Sequence, residues 1–318
     1  MGSPLRLTVV DLVGRRPTIT DADATTHAGV DDPIGAAWSG VSETFEAAEA
    51  AMSRFRESSD LTAINRLAGT GRTLPVDRRL VRALVAADRA GRLTDGRFDA
   101  RVLGDLERLG YRGVPIGSSA VANRTGHRWL ALDIRSSRVS LAVPVDLGGI
   151  GKGLALRWAM QAIELDGFTG PGPGILLEAG GDLVGRGPAP EGGDWSIAIE
   201  DPTGADGPKA VIRLSSGAIA TSSIAINQWH DAEGRSLHHL IDPSTGEPGG
   251  DGLLAVTVAG PDPAWAEVWS KSLFLAGVDG IAALARSRGL ASWWIRDDGE
   301  LEMTPAARVR TLWSATDS

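Results

Sequence analysis

Apolar residues recur at helical spacing in five stretches of the chain. In the first, residues 36–55, the apolar positions lie three or four residues apart: Val41, Phe45, Ala48, Met52 and Phe55. The same spacing predicts helices over residues 79–93, from the glycine-rich segment near residue 150 to about Leu165, over 261–277 and over 278–288. Pro263 lies near the start of the fourth stretch, where the first turn of a helix tolerates proline.

Runs of β-branched and apolar residues between these stretches predict strands. The candidates are "LRLTVVDLV", "WLALDI" and "RVSLAV" around "RSS", "GILLEAGGDLVGRG", "DWSIAIE", "AVIRLSSGAIATSS", "LLAVTVAG" and a closing hairpin "ASWWIRDDGELEMT". Strands and helices do not alternate strictly, so the pattern predicts an α+β fold. We expect one domain over residues 1–318.

Composition narrows the class of protein. The 318 residues are 42% hydrophobic and 23% charged, which is typical of a soluble chain with a large core. A net charge of −8 argues against nucleic acid as a partner. Cysteine is absent, which excludes disulfides, thiolate metal sites and cysteine nucleophiles. No apolar run is long enough to span a membrane and no signal peptide is recognisable, so we expect a cytoplasmic protein.

Lysine is rare in this chain. Of 32 basic residues only Lys152, Lys209 and Lys271 are lysine. A GC-rich genome accounts for such a bias, but it also makes each remaining lysine a candidate for a role that arginine does not fill.

The segment "VDLGGIGKGLALRW", residues 145–158, combines four glycines with one of these lysines. It is not a Walker loop, because Asp146 stands where that motif needs glycine and Gly153 follows Lys152 in place of Ser or Thr. The glycine spacing also misses the dinucleotide fingerprint. Two interpretations remain open: an anion site made of backbone N–H groups and Lys152, or a tight structural turn.

Three further segments carry chemistry with two interpretations each. Gly180 and Gly181 interrupt a strand pattern, which indicates either close approach of a ligand or a bulge. "HHLIDPSTGEP" is either a surface turn or a segment that presents His239 beside Asp242. In "SRFRESSDLTAIN", Ser59 or Asp60 is a candidate N-cap of a short helix.

Taken in order, seven motifs resemble those of the ApbE family of flavin transferases. They are "MGS" at residue 1, "SRFRESSDLTAIN" at 53, "GRFDARV" at 96, "DLGGIGKG" at 146, "EAGGDL" at 178, "ATSS" at 220 and "HLIDPSTG" at 239. Each motif is weak by itself, and their order along nearly the whole chain makes the resemblance specific.

The resemblance implies a tunnelling-type (T-fold) architecture that binds FAD. It also implies a reaction in which FMN passes from FAD to a threonine of an acceptor protein bearing a D-x-x-[ST]-[GA]-A-T motif, with release of AMP. Mg²⁺ usually neutralises the pyrophosphate in such a transfer, and a nearby group takes the hydroxyl proton.

Carried over by position, the resemblance implies two sets of site residues. Those near the cofactor are Met1, Phe55, Arg97, Phe98, Asp99, Asp146, Lys152, His239 and Ile241. Phe55 replaces the usual tyrosine, so that stacking survives and a hydroxyl is lost. His239 is the candidate for proton transfer, because imidazole titrates near neutral pH. Asp60 and Asp242 would orient such groups, and plain capping or turn roles remain open for both.

The chain departs from the family at the metal site. The family's Asp and Thr bind Mg²⁺ beside a carbonyl of the glycine loop, here Gly149, and these two positions align with Glu267 and Lys271, with Ser270 adjacent. A protonated lysine offers only donors and cannot bind Mg²⁺. We hypothesise that the catalytic ammonium of Lys271 replaces the metal. A plain i,i+4 helical ion pair is the alternative.

A second departure follows "ATSS", where the family usually has a tyrosine and then an arginine. Here Ser223, Ala225 and Asn227 occupy this segment. Three functions therefore stay open: flavin transfer, FAD storage or delivery by a relative that has lost transfer, and flavin chemistry on a small molecule.

Overall fold

The computed structural model describes residues 4–10, 17–21, 33–111, 113–116, 128–165, 173–231 and 233–315. Met1 and the "MGS" motif lie outside these residues. The described residues form two compact units: unit 1 contains the described residues between 46 and 151 and between 226 and 251, and unit 2 contains those between 4 and 45, 152 and 225, and 252 and 315.

Eight helices and sixteen strands cover the described residues. The helices are α1 (Pro33–Met52), α2 (Asp60–Asn65), α3 (Arg78–Leu93), α4 (Leu103–Arg108), α5 (Gly151–Leu165), α6 (Pro263–Phe274), α7 (Gly277–Ser287) and α8 (Pro305–Arg308). The strands are β1 (Leu5–Val10), β2 (Pro17–Asp21), β3 (Leu74–Pro75), β4 (Leu130–Asp133), β5 (Arg138–Leu141), β6 (Gly174–Ala179), β7 (Asp182–Arg186), β8 (Trp195–Glu200), β9 (Pro208–Leu214), β10 (Gly217–Ser223), β11 (Gln228–His230), β12 (Ser236–His238), β13 (Leu253–Gly260), β14 (Ala291–Arg296), β15 (Leu301–Met303) and β16 (Thr311–Ser314).

Unit 2 is built on an eight-stranded sheet in the order β15-β14-β13-β10-β7-β6-β1-β2. Every neighbouring pair is antiparallel. Successive residues of its strands enter two different cores: Ile175 and Leu177 belong to one, and Leu176 between them belongs to the other. This period of two shows that both faces of the sheet are covered.

Helices cover one face and a smaller sheet covers the other. Val41 of α1, Leu156 of α5 and Ala266 of α6 share the core of the first face. Ile199 and Ile212, from the three-stranded sheet β16-β9-β8, share the core of the second face with Trp293. Burying the large apolar side chains of these cores stabilises each by about 1.5–3 kcal/mol.

Unit 1 contains α2, α3, α4, a 3₁₀ turn over Ala100–Val102 and two small sheets, β3-β5-β4 and β11-β12. A cluster of Leu106, Leu109, Leu237 and Ile241 packs α4 against the segment that follows β11. This cluster brings the "HLIDPSTG" segment to the C-terminus of α4.

The predicted α+β class is confirmed, and three local predictions need correction. Helix α1 covers residues 33–52 rather than 36–55, so Phe55 lies beyond its end. Gly180 and Gly181, with φ of 57° and 88°, form the two-residue turn of the β6-β7 hairpin instead of a bulge within one strand. The segment 210–223 forms two strands in different sheets, because it turns at Gly217 with φ of 117°.

The strands and helices predicted elsewhere agree with the structure within a few residues. In the described ranges, no helix is both long and apolar enough to cross a bilayer.

Candidate functional site

A helix ending in unit 1 fixes the position of the chain's single tyrosine. After α4, Gly110 adopts a φ of 83°, which favours glycine. The N–H of Gly110 donates to the Glu107 carbonyl (3.0 Å) and the N–H of Tyr111 donates to the Leu106 carbonyl (2.8 Å). These two bonds form a Schellman motif, and Leu106 and Tyr111 supply its usual apolar contact.

Three rings contact Tyr111, and together with it they form what we call the aromatic group: Phe55, Tyr111, Trp229 and His239. The ring of Tyr111 stacks on Trp229 at a centroid distance of 5.1 Å and on His239 at 6.1 Å, and it meets Phe55 edge to face at 6.2 Å. Trp229 is held by a hydrogen bond from its Nε1 to the Leu109 carbonyl (2.6 Å). Phe55 is 54% exposed, so the group presents an open aromatic surface.

Arg54 connects the aromatic group with the glycine loop. Its side chain is only 4% exposed, and its guanidinium carbon lies 5.0 Å from the ring centroid of Phe55 and 5.1 Å from that of Tyr111. Nη2 donates to the Tyr111 carbonyl (3.2 Å), and Nε lies 3.7 Å from Asp146 Oδ2. A Cβ on Gly113 would lie 2.4 Å from Arg54 Nη2, so a larger residue there would require the guanidinium to shift.

Polar residues around Arg54 hold the backbone in place. Asn65 bonds both backbone groups of Val145, accepting from its N–H (2.9 Å) and donating to its carbonyl (2.8 Å). Asp146 Oδ1 accepts from the Gly148 N–H (2.8 Å). Ser59 caps α2 by accepting from the Thr62 N–H (3.0 Å) and donates to the Ser53 carbonyl (2.6 Å). These bonds fix Asp146 relative to Arg54 and Phe55.

Several residues predicted to bind the cofactor have structural partners instead of open side chains. Phe98 is 3% exposed, and Ile241 is buried in the apolar cluster beside α4. Asp99 caps the 3₁₀ turn and pairs with Arg101 (2.7 Å). Arg97 is half-buried, and its N–H bonds the Thr94 carbonyl (3.1 Å). Their roles toward a cofactor remain predictions.

The two aspartates for which capping stayed open both serve the backbone. Asp60 Oδ2 accepts from the Asp77 N–H at the start of α3 (2.6 Å). Asp242 Oδ1 accepts from the N–H (2.8 Å) and the hydroxyl (2.7 Å) of Ser244, which forms the "DPSTG" turn. Arg108 ties this turn to α4 by donating to the Gly246 carbonyl (2.6 Å).

Unit 2 contains a second set of candidate residues, which we call the charged group: Lys152, Asp182, Glu267 and Lys271. Lys152, in the first turn of α5, forms an ion pair with Asp182 at the start of β7. The other oxygen of Asp182 accepts from the Thr221 N–H of β10 (3.0 Å). Glu267 of α6 is 5% exposed, and its Oε2 accepts from the Gly153 N–H of α5 (2.8 Å).

The charges of this group and its burial shift the pKa values of Lys152 and Glu267. Burial acts to lower the pKa of Lys152, but the negative charges of Asp182 and Glu267 outweigh it and raise that pKa to about 12. Burial raises the pKa of Glu267 to about 7, against the opposing effects of Lys152 and Lys271. Lys152 is therefore a permanent cation, and Glu267 changes its charge near neutral pH.

The N-terminus of α5 is already served by groups of the chain. The Gly151 N–H donates to the Leu147 carbonyl (2.8 Å), and the Gly153 N–H donates to Glu267. The glycine loop is therefore a well-bonded turn as well as a candidate anion site, which combines the two interpretations left open by the sequence.

The residues aligned with the family's metal site do not match the needs of Mg²⁺, which prefers several oxygen ligands. Ser270 Oγ is engaged with Ser222 Oγ (2.9 Å) and the Glu267 carbonyl (3.0 Å). Lys271 supplies donors only. Among the side chains aligned with the metal site, Glu267 supplies one buried oxygen, Oε1, that has no hydrogen-bond partner in the described structure. Gly149 lies in the turn before α5, in unit 1.

Within the described ranges, no three His, Asp or Glu side chains gather as metal ligands would.

Sequence reasoning missed Arg54 and Tyr111 as site residues. Arg54 lies between Ser53 and Phe55 in the "SRFRESSDLTAIN" motif, and the resemblance assigns no role to it. Tyr111 has a signal that was available: "RLGY" combines a basic last turn, a glycine after the helix and an apolar residue next to it, the pattern of a Schellman motif.

Comparisons with known proteins agree with the fold and the motifs. The model of the ApbE family matches residues 1–294, and the chain belongs to this family. The ApbE protein of Thermotoga maritima has a TM-score of 0.77 and 28% identity, covering 89% of this chain and 93% of that one. The flavinyl transferase ApbE of Pseudomonas stutzeri has a TM-score of 0.74 at 24% identity, covering 98% of both chains.

Curated relatives carry one activity in their names. A FAD:protein FMN transferase of Klebsiella pneumoniae is 30% identical over 274 residues, which cover 82% of this chain and 77% of the relative. A FAD:protein FMN transferase of Salmonella typhimurium is 26% identical over 321 residues, covering 94% and 83%. The predicted family and the α+β, ApbE-like architecture are thereby confirmed.

Proposed function

We propose that this protein is a FAD:protein FMN transferase that moves FMN from FAD to a threonine of an acceptor protein. One observation carries the proposal beyond family membership. Arg54 and Tyr111 join Phe55, Asp146 and His239, which come from separate motifs of the sequence, within one unit. A half-exposed ring beside a buried cation and an imidazole suits a planar, polar-edged ligand such as a flavin.

The proposed reaction forms one P–O bond and breaks another. The threonine oxygen attacks the phosphorus on the FMN side of the pyrophosphate. The bond from this phosphorus to the bridging oxygen breaks, and AMP leaves with that oxygen. The threonine proton passes to His239, the one imidazole in the aromatic group.

The remaining residues of the proposal supply charge and shape. Phe55 stacks on the flavin ring, and Arg54 holds Asp146 close to that ring. Lys152, whose pKa is raised to about 12, provides a permanent positive charge for a phosphate. Arg97, Asp99 and the backbone around Phe98 and Ile241 are further contacts of FAD in this proposal, as is Met1.

The direct test is a transfer assay. We would incubate the purified protein with FAD and an acceptor domain carrying the D-x-x-[ST]-[GA]-A-T motif, with and without Mg²⁺, and measure the mass of the acceptor. A gain equal to FMN, absent when the acceptor threonine is changed to valine, supports transfer. An unmodified acceptor in the presence of protein-bound FAD contradicts it.

The chemistry of unit 2 favours a second candidate, a relative that binds FAD without transferring FMN and either carries flavin or uses it on a small molecule. Lys271 stands at the position of the family's Thr, and its positive charge opposes the rise that burial causes in the pKa of Glu267. Ser270 is bonded within the protein. One ammonium replaces at most half of the Coulomb attraction of Mg²⁺ at equal distance.

A double variant separates the two candidates. Changing Lys271→Thr together with Glu267→Asp rebuilds the side chains of the family's metal site. If the protein as it stands is transfer-deficient, this variant gains Mg²⁺-dependent transfer, and Lys209→Thr, which changes another of the three lysines, does not. If the unmodified protein transfers FMN as fast as the double variant does, the second candidate is wrong.

A further inference from the structure

We propose that Tyr111 is a positioning residue: its ring holds Phe55 and His239 in the orientation that receives the flavin ring. The inference rests on the proposed function, because it assumes that a flavin binds in unit 1. It adds a residue that lies outside all seven motifs of the sequence.

Tyr111 contacts every other member of the aromatic group. Its ring meets Phe55, Trp229 and His239, and it also lies 5.1 Å from the guanidinium carbon of Arg54. Phe55 and His239 are 184 residues apart in sequence, and their ring contacts meet at Tyr111. A change in the position of this ring therefore acts on both residues at once.

Tyr111 is itself held firmly. Its N–H and carbonyl are bonded to Leu106 and Arg54, and Trp229, which stacks on it, is bonded to the Leu109 carbonyl. An aromatic side chain has two rotatable bonds, so little entropy is lost in fixing it. Tyr111 thus transmits the geometry of the α4 terminus to the exposed ring of Phe55.

The ring, rather than the hydroxyl, carries this role. In the described part of the chain the hydroxyl of Tyr111 makes no hydrogen bond, whereas the ring makes three aromatic contacts and one cation–π contact. Phenylalanine should therefore replace Tyr111, and an aliphatic residue should not.

The position of Tyr111 also makes its effect specific to one part of FAD. A flavin ring needs a flat, apolar surface, and the neighbours of Tyr111 supply that surface. The diphosphate and adenosine of ADP have no use for the orientation of Phe55. Loss of the ring should weaken binding of FAD and FMN and leave binding of ADP unchanged.

Calorimetry on the full chain tests this with three ligands: FAD, FMN and ADP. For Tyr111→Leu we expect the Kd of FAD and FMN to rise at least tenfold and the Kd of ADP to change less than twofold. Tyr111→Phe should bind all three within twofold of the unmodified protein. The matched control is Trp313→Leu, which removes a ring that is 43% exposed in unit 2 and should change none of the three.

Three results would overturn the inference. They are unchanged FAD affinity in Tyr111→Leu, an equal loss for FAD and ADP, and a loss in Tyr111→Phe as large as in Tyr111→Leu. If Tyr111→Leu does not fold, Trp229→Leu withdraws the ring stacked on Tyr111, and we expect the same discrimination at three- to fivefold. An unmodified protein that binds ADP but neither FAD nor FMN would instead refute the proposed function, on which this inference depends.

Discussion

The two units hold their candidate residues by different physical means. In unit 1 the aromatic group is assembled by ring contacts around one buried arginine, and it leaves Phe55 half exposed. In unit 2 the charged group consists of Lys152, Asp182, Glu267 and Lys271. An ion pair joins the first two, and backbone N–H groups donate to Asp182 and Glu267. Unit 1 therefore presents an aromatic surface, and unit 2 presents a set of charged side chains.

The difference bears on two departures from the family's pattern that the sequence predicts. At Phe55 in unit 1, one aromatic ring replaces another. At Lys271 in unit 2, an ammonium occupies the position that the resemblance assigns to a metal ligand. Exchange of one aromatic ring for another is tolerated, because stacking depends on the area and orientation of the rings. Exchange of a charged group is not, because the interaction energy changes sign with the charge.

The largest effect should come from removing the carboxylate of Asp182. Asp182→Ala leaves Lys152 without its partner and the Thr221 N–H without an acceptor, so we expect the free energy of unfolding to fall by about 3 kcal/mol. Urea unfolding followed by circular dichroism measures this. The double variant Lys152→Met/Asp182→Leu should recover part of the loss. If Asp182→Ala lowers the free energy of unfolding by less than about 1 kcal/mol, the ion pair does not stabilise unit 2.

In unit 1 the corresponding test is Arg54→Met. It removes the ion pair with Asp146 and both cation–π contacts while keeping much of the volume, and we expect a loss of about 2 kcal/mol. Arg56→Met is the control, because its exposed ion pair with Glu46 contributes less than about 1 kcal/mol. Equal effects of the two variants would contradict the central place given to Arg54.

The titration of Glu267 gives unit 2 a pH dependence. Because its pKa is raised from 4.5 to about 7, the folded protein retains a proton that the unfolded chain has released between these values. The free energy of unfolding should therefore fall as the pH rises through this window, by up to about 1.4 kcal/mol per pH unit. Unfolding in urea at several pH values measures the slope.

Glu267→Gln should remove that slope, and the exposed Glu43→Gln should keep it. A slope that survives in Glu267→Gln would assign the pH dependence to another group.

The smallest expected effect concerns the support of the aromatic group. Trp229→Phe keeps a ring against Tyr111 and loses the hydrogen bond to the Leu109 carbonyl, which costs about 1 kcal/mol. Trp269→Phe in unit 2, whose ring lies 5.5 Å from the Arg288 guanidinium carbon, should cost a few tenths. A thermal melt that ranks these variants the other way would show that the Nε1 bond contributes little.

Much of the fold followed from local pattern. Helices α3 and α6 and the last hairpin agree with their predicted bounds within a few residues, because periodicity and caps such as Asp262 and Pro263 act locally. The glycine pair at 180 and 181 was harder, since bulges and tight turns both place glycine at positive φ. Only the pairing of Ala179 with Asp182 distinguishes them.

The site was predictable where a motif exists and unpredictable where contacts cross the sequence. Phe55, Asp146 and His239 were found by resemblance. The partner of Lys152 lies 30 residues away in Asp182, and the contact of Trp229 with Tyr111 spans a still longer interval, so neither spacing nor composition indicates them. Their roles toward flavin remain proposals.

The contact of α5 with α6 has a consequence for how this chain can vary. A Cβ at Gly153 would lie 2.5 Å from the Pro263 carbonyl oxygen and from the Ala264 Cα. A methyl group there would push the two helices apart and move the Glu267 carboxylate away from the Gly153 N–H that donates to it. The lack of a side chain at Gly153 therefore sets how closely the Glu267 carboxylate of α6 approaches the first turn of α5.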